Sequence, residues 1–142
     1  MMGDSMSKPR EVSPEPSSQS QTILVVDDER MVREVVCKIL RLYGYTVLEA
    51  NHGVEALRIC HEHVGPIHLL LTDILMPGMN GPHLAQRVAT LHPHTRVLYM
   101  SGYPDDDSLA HFGLHPEIAF IQKPFLPDVL IRKVREVLGA PG

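Results

Sequence analysis

Two aspartates and a glutamate, Asp27-Asp28-Glu29, follow directly on the apolar run Ile23-Leu24-Val25-Val26. Carboxylates crowded at the end of a strand repel one another and lose hydration, so such a cluster calls for a cation, a basic partner or a proton. Further polar groups close other short apolar runs, in Thr72-Asp73, Met100-Ser101-Gly102 and Gln122-Lys123-Pro124-Phe125. The oxygen donors of Asp27, Asp28 and Asp73, with no cysteine or suitable histidine at the same run ends, suit a hard cation such as Mg²⁺. Lys123 and Ser101 complement them. An ammonium and a hydroxyl facing a metal-bound carboxylate receive further negative oxygens, as on a phosphoryl group attached to Asp73.

Residues so far apart in the chain meet only if the runs lie side by side. From Thr22 onward, short β-branched runs alternate with helical patterns, the sign of βα units around a parallel sheet. Strands are expected over Ile23 to Asp27, Thr46 to Glu49, Ile67 to Thr72, Arg96 to Met100 and Ile118 to Gln122. The first helix carries a stripe of Val32, Val35, Val36, Ile39, Leu40 and Tyr43, with Gly44 as its stop. The last carries Leu130, Val134, Val137 and Leu138 behind Pro127, and both stripes are expected to face the core. Leu57, Cys60 and Val64 mark the second helix, and Leu84, Val88 and Leu91 the third. A fourth is confined between Asp105 and Phe112 by Pro104, Gly113 and Pro116. In an open parallel sheet, ligands bind outside the carboxyl ends of the strands, and every strand end but the second offers a polar group there.

The chain has 142 residues, 44% hydrophobic and 21% charged, enough for one domain with a core of its own. A formal charge of -4 leaves no basic footprint, so direct nucleic-acid binding is not expected. Cys37 and Cys60 form neither a CxxC nor a disulfide framework and read as small core residues in a reducing compartment. No run is apolar enough to cross a bilayer, and residues 1–21 lack the apolar region of a secretion signal, so a cytoplasmic location without membrane contact is expected. Pro9, Pro14 and Pro16 stand among serines and charges in those residues, which read as a disordered leader or linker ahead of a domain over 22–139.

Taken singly, each feature has a plainer explanation. Adjacent acids after a strand serve as helix caps, a lone Lys123 is a solvated charge, Ser101 a turn residue and Phe120 a core aromatic. Their joint order along the chain defeats that explanation. It holds for Asp105-Asp106-Asp107, where acids opening a helix need no ligand. It holds too for the nine histidines, since His61 and His63 face apart on a helix and His92 and His94 lie in a polar loop.

The DD after the first strand, DILMPGMNG around Asp73, SGY after the fourth strand and KPF after the fifth resemble the phosphoacceptor receiver domain of two-component response regulators. The resemblance runs from about Thr22 to Gly139. It implies a flavodoxin-like doubly wound (βα)5 sandwich, with three layers and a parallel sheet of order 2-1-3-4-5. It further implies that Asp73 accepts phosphoryl from a phosphohistidine, and that Asp28, Asp73 and the backbone carbonyl of Leu75 ligate Mg²⁺ while Asp27 acts through water. Ser101 would bond the phosphoryl oxygens, and Lys123 would pair with Asp73 and then with the phosphoryl group. Gly102 would leave room for the donor, and Leu75 and Tyr103 would flank the path of a hydrolytic water. Phe120 stands at the family's aromatic switch position, and a cis Lys123-Pro124 bond is implied.

The function favoured is a signalling switch. It takes phosphoryl from a histidine kinase or histidine phosphotransfer protein and signals through the fourth helix, fifth strand and fifth helix, a face also open to homodimer formation. An aspartyl-nucleophile phosphohydrolase is disfavoured because DDE lacks the DxD spacing, and an FMN-binding module because acids stand where phosphate would be cradled. MSGYPDD and FIQKPFLPDVLIRKVREVLG look like C-terminal receivers of hybrid sensor histidine kinases. The chain is therefore expected to be a piece of such a kinase, with a stand-alone regulator as the alternative.

Overall fold

The computed structural model describes residues 21–102, 114 and 118–139. In chain order these form β1 (Thr22–Val26), α1 (Arg30–Leu42), β2 (Thr46–Ala50), α2 (Gly53–Glu62), β3 (Leu69–Asp73), α3 (Gly81–Leu91), β4 (Arg96–Ser101), β5 (Phe120–Gln122) and α4 (Pro127–Gly139). The five strands pair in parallel in the order β2-β1-β3-β4-β5, the expected doubly wound arrangement. The fourth helix expected between Asp105 and Phe112, Tyr103, and the leader up to Ser20 lie outside the described residues.

β1 is apolar from Ile23 to Val26 because both of its faces are covered. Ile23 and Val25 point to one side, where Leu69, Leu71, Leu98, Met100 and Ile121 join Val36, Cys37 and Leu40 of α1 and Leu130, Ile131 and Val134 of α4. Leu24 and Val26 point to the other, with Leu70, Ala56 and Cys60 of α2 and Leu84 and Val88 of α3. Period-two alternation thus divides one run between two cores. Register then sets the strand ends level: Val26 lies beside Ala50 and Thr72, Asp73 beside Met100, and Ser101 beside Gln122.

The buried stripe of α1 is narrower than its pattern suggests. Val35 is 57% exposed and Tyr43 47%, because the stripe centres on Val36, Cys37 and Leu40 and Val35 lies about 100° around the helix from Val36. Val64, beyond the end of α2, is exposed, as is Leu91 at the end of α3. Strand ends move by a residue or two: β1 spans Thr22–Val26 and leaves Asp27 outside, while β3 begins at Leu69 rather than Ile67. β5 is cut to Phe120–Gln122, since its partner β4 pairs with it only from Tyr99 to Ser101.

Two helices start with a side-chain cap. His52 Nδ1 accepts the Glu55 N–H at 3.1 Å before α2, and Asn80 Oδ1 accepts the His83 N–H at 2.8 Å before α3. α1 begins at Glu29 without one. Among the described residues no helix is long and apolar enough to cross a membrane.

Candidate functional site

The loops leaving β1, β3 and β5 bring Asp27, Asp73 and Lys123 together. Asp27 is fully buried. Its Oδ1 accepts the Glu29 N–H at 2.9 Å, and its Oδ2 accepts from Lys123 Nζ at 3.0 Å. The same ammonium donates to Asp73 Oδ2 at 3.1 Å and stands 3.6 Å from Glu29 Oε1. One oxygen from each of Asp27, Glu29 and Asp73 lies within 4.8 Å of the others. Asp28, next in the chain, is exposed.

The loop carrying Asp73 is held closely. The Gly81 N–H donates to the Ile74 carbonyl at 2.8 Å, and the Ile74 N–H to the Met100 carbonyl at 3.0 Å. A Cβ on Gly81 would run into the Asp73 carbonyl oxygen, so only glycine lets the start of α3 approach the acid this closely. Across the site, the Lys123 N–H donates to the Ser101 carbonyl at 2.8 Å, and the Lys123–Pro124 bond is cis.

Burial pushes the Asp73 carboxyl up to about 6, with Asp27 and Asp28 adding to the rise and Lys123 opposing it. For Lys123, burial favours the neutral amine, but Asp27 and Asp73 outweigh it and raise the ammonium above its ordinary value. One ammonium therefore serves Asp27, Asp73 and Glu29, with Asp28 adding a further negative charge nearby. This excess of oxygen donors over cations fits a hard divalent ion.

The other expected site residues that are described lie on β4, on β5 and in the loops that follow β3 and β4. Ser101 is buried at the end of β4. Gly102 is exposed, and a Cβ there would meet nothing within 4 Å. Leu75 is exposed after β3. Phe120 opens β5 opposite Tyr99 and packs with Ile74, Tyr99, Leu114 and Ile118.

The structure adds three residues that the sequence pattern did not assign. Glu29 joins the converging acids. Arg33 Nη1 donates to the Asp27 carbonyl at 2.8 Å, and Glu49 pairs with both Arg33 and Arg41. The second strand thus does offer a polar group, one residue before its end.

The family model of the response regulator receiver domain matches residues 23–135. The chain belongs to this family. The receiver domain is 37% identical over 121 residues to the sensor kinase CckA of Brucella abortus (strain 2308), a match that covers 85% of this chain and 13% of that protein. It is 30% identical over 124 residues to the response regulator receiver protein CpdR of the same strain, covering 83% of this chain and 97% of CpdR. Among solved structures, the receiver domain of the hybrid histidine kinase CckA superposes with a TM-score of 0.70 at 37% identity, covering 82% of this chain and 98% of that one. The Vibrio cholerae chemotaxis protein CheY4 gives 0.73 at 25% identity, covering 84% and 99%. This is a receiver domain of two-component signalling, similar to those of hybrid kinases, and such domains work with histidine kinases or phosphotransfer proteins.

Proposed function

We propose that Asp73 is the phosphoacceptor. A carboxylate oxygen of Asp73 attacks the phosphorus of a phosphohistidine, the N–P bond breaks, and the imidazole leaves with the electron pair and takes up a proton. Lys123 shifts from Asp73 toward the incoming phosphoryl oxygens, and the Ser101 hydroxyl donates to another of them. Phe120 repacks as Ser101 moves, carrying the change toward β5 and α4. Asp28, Asp73 and the Leu75 carbonyl would hold Mg²⁺, with Asp27 acting through water and Glu29 as a further oxygen donor. When bound, the ion neutralises the charge that develops on the transferring oxygens. Gly102 leaves the donor its entry, and Leu75 and Tyr103 restrict the hydrolytic water.

The observation that carries this reading is the half-buried ammonium of Lys123, 3.1 Å from Asp73 and 3.0 Å from Asp27 in a site with excess acid. Acetyl phosphate should add one phosphoryl group per chain, and EDTA or Asp73→Asn should abolish the labelling. Metal-dependent labelling retained in Asp73→Asn, or multiple turnover in the wild type, would reject the assignment.

We further propose that residues 22–139 form the receiver of a cytoplasmic hybrid sensor histidine kinase, with 1–21 as the linker ahead of it. The 37% identity to the CckA receiver supports this context. The partner would be a histidine kinase or phosphotransfer protein, with no direct contact to nucleic acid or membrane. Homodimer formation would use the face of the segment after β4, together with β5 and α4.

A further inference from the structure

Arg33 is costly where it stands. Its side chain is only 15% exposed, and it lies at the helix end whose dipole disfavours a cation. Its bonds show what it does there. The shortest is not to its acidic neighbour: Nε stands 3.5 Å from Glu49 Oε1, beyond good hydrogen-bond range, whereas Nη1 donates to the Asp27 carbonyl at 2.8 Å. Glu49 is itself fixed from the other side, by Arg41 Nη2 at 3.1 Å.

The Asp27 carbonyl belongs to the peptide plane that links Asp27 to Asp28. The Asp27 N–H is tied to the Ala50 carbonyl at 3.2 Å and the Asp27 Oδ1 accepts the Glu29 N–H at 2.9 Å, so a third tie, on the carbonyl side, completes the hold on the chain as it leaves β1. α1 has no side-chain cap to do this, unlike α2 and α3. We propose that Arg33, braced by Glu49, is a positioning residue that holds the Asp27–Asp28 peptide plane so that the acids converge with Asp73. The inference rests on the metal and phosphoacceptor reading of the same site.

Charge and positioning predict opposite signs. If Arg33 acted only as a nearby cation, removing it would strengthen Mg²⁺ binding by leaving the acids more negative. If it positions them, removal weakens binding, and outer-shell partners of metal sites typically contribute about 10-fold or more. A lysine keeps the charge but lacks the fork that reaches the carbonyl and Glu49 together, so it should not restore binding.

The test is Mg²⁺ titration calorimetry and acetyl phosphate labelling on the full chain, below the unfolding temperature of each variant. Arg33→Gln should weaken Mg²⁺ binding about 10-fold, Arg33→Lys should weaken it nearly as much, and Glu49→Gln about 3-fold. Glu49→Gln should add nothing further in the Arg33→Gln background. Tighter or unchanged binding in folded Arg33→Gln overturns the proposal, as does full rescue by lysine. If Arg33→Gln does not fold, wild-type affinity in both Arg33→Lys and Glu49→Gln overturns it. A wild-type chain that neither binds Mg²⁺ nor is labelled overturns the phosphoacceptor reading first, and this inference with it.

Discussion

At the amino ends of the strands, polar side chains close onto backbone partners. His68 Nδ1 accepts the Thr22 N–H at 2.8 Å, Thr95 Oγ1 donates to the Ile67 carbonyl at 2.6 Å, and Arg96 Nη1 donates to the Val137 carbonyl at 2.8 Å, tying α4 to β4. At the carboxyl ends, Lys123 is shared among three acids and Asp73 is held well above the usual carboxylate range. The same sheet thus ends in satisfied hydrogen bonds on one side and in crowded charge on the other. Satisfied groups add stability; crowded ones cost it unless a cation is supplied. The difference locates function at the end where the fold tolerates that cost.

The sharpest way to break the contrast is to remove the one cation shared by the acids. Lys123→Ala leaves the fully buried Asp27 without its ammonium, so the metal-free protein should lose about 3 kcal/mol, while saturating Mg²⁺ should restore much of the loss. Metal binding itself should persist, in contrast to Asp28→Ala, which removes a proposed ligand. Thermal melts with and without Mg²⁺ check this; an equal loss in both conditions would place Lys123 in packing rather than in charge balance.

Removing an acid should act the other way. Asp73 has a folded-state pKa raised to about 6, so the folded protein favours its neutral form. Its contribution is most favourable below the unfolded carboxylate value and is lost as pH rises through about 6, leaving a net cost at neutral pH. Asp73→Asn should therefore stabilise the chelated protein by about 2 kcal/mol at pH 7, with little gain at pH 4. Denaturant unfolding in EDTA at the two pH values gives the answer, and a destabilised variant at pH 7 would show that Asp73 is not crowded.

How much of this the sequence carried differs between the same two regions. The two cores follow from β1, where four apolar residues in a row announce a strand covered on both faces, whereas strand order came with the family resemblance. The acids were legible as a group, but not which of the three turns inward. The chain leaves β1 and enters α1 across Asp27 to Glu29, where the side-chain period changes from 2 to 3.6, so neither rule assigns directions. The structure buries Asp27 and leaves Asp28 and Glu29 exposed, Glu29 with one oxygen within 4.8 Å of those of Asp27 and Asp73. Arg33 and Glu49 were silent because their pairing joins a helix to a neighbouring strand, which periodicity does not encode. His68 and Thr95 were silent at the other end because their bonds join segments far apart in the chain, Thr22 to His68 and Thr95 to Ile67.

Crowding also bears on how long a phosphoryl group would stay. Hydrolysis needs water in line behind the phosphorus, and exposed Leu75, two residues after Asp73, offers no group to orient it. Leu75→Asn combined with Tyr103→Glu should speed dephosphorylation roughly tenfold, about 1.4 kcal/mol of barrier. Phosphate release from purified phosphoprotein measures it, and an unchanged rate would reject water access as the control.

The smallest effect is expected at the quiet end of the sheet. Thr95→Val keeps the side-chain shape but removes the hydroxyl that donates to the Ile67 carbonyl at 2.6 Å. Ile67 is buried just ahead of β3, so its carbonyl loses a protein partner in a place with little access for water. The expected cost is about 1 kcal/mol in denaturant unfolding, the same with and without Mg²⁺. Labelling by acetyl phosphate should keep its wild-type rate, because the lost bond lies at the opposite end of the strands from Asp73. A change in labelling rate at full folding would mean that the two ends are mechanically coupled through β3 and β4, and the division of labour between them would fail.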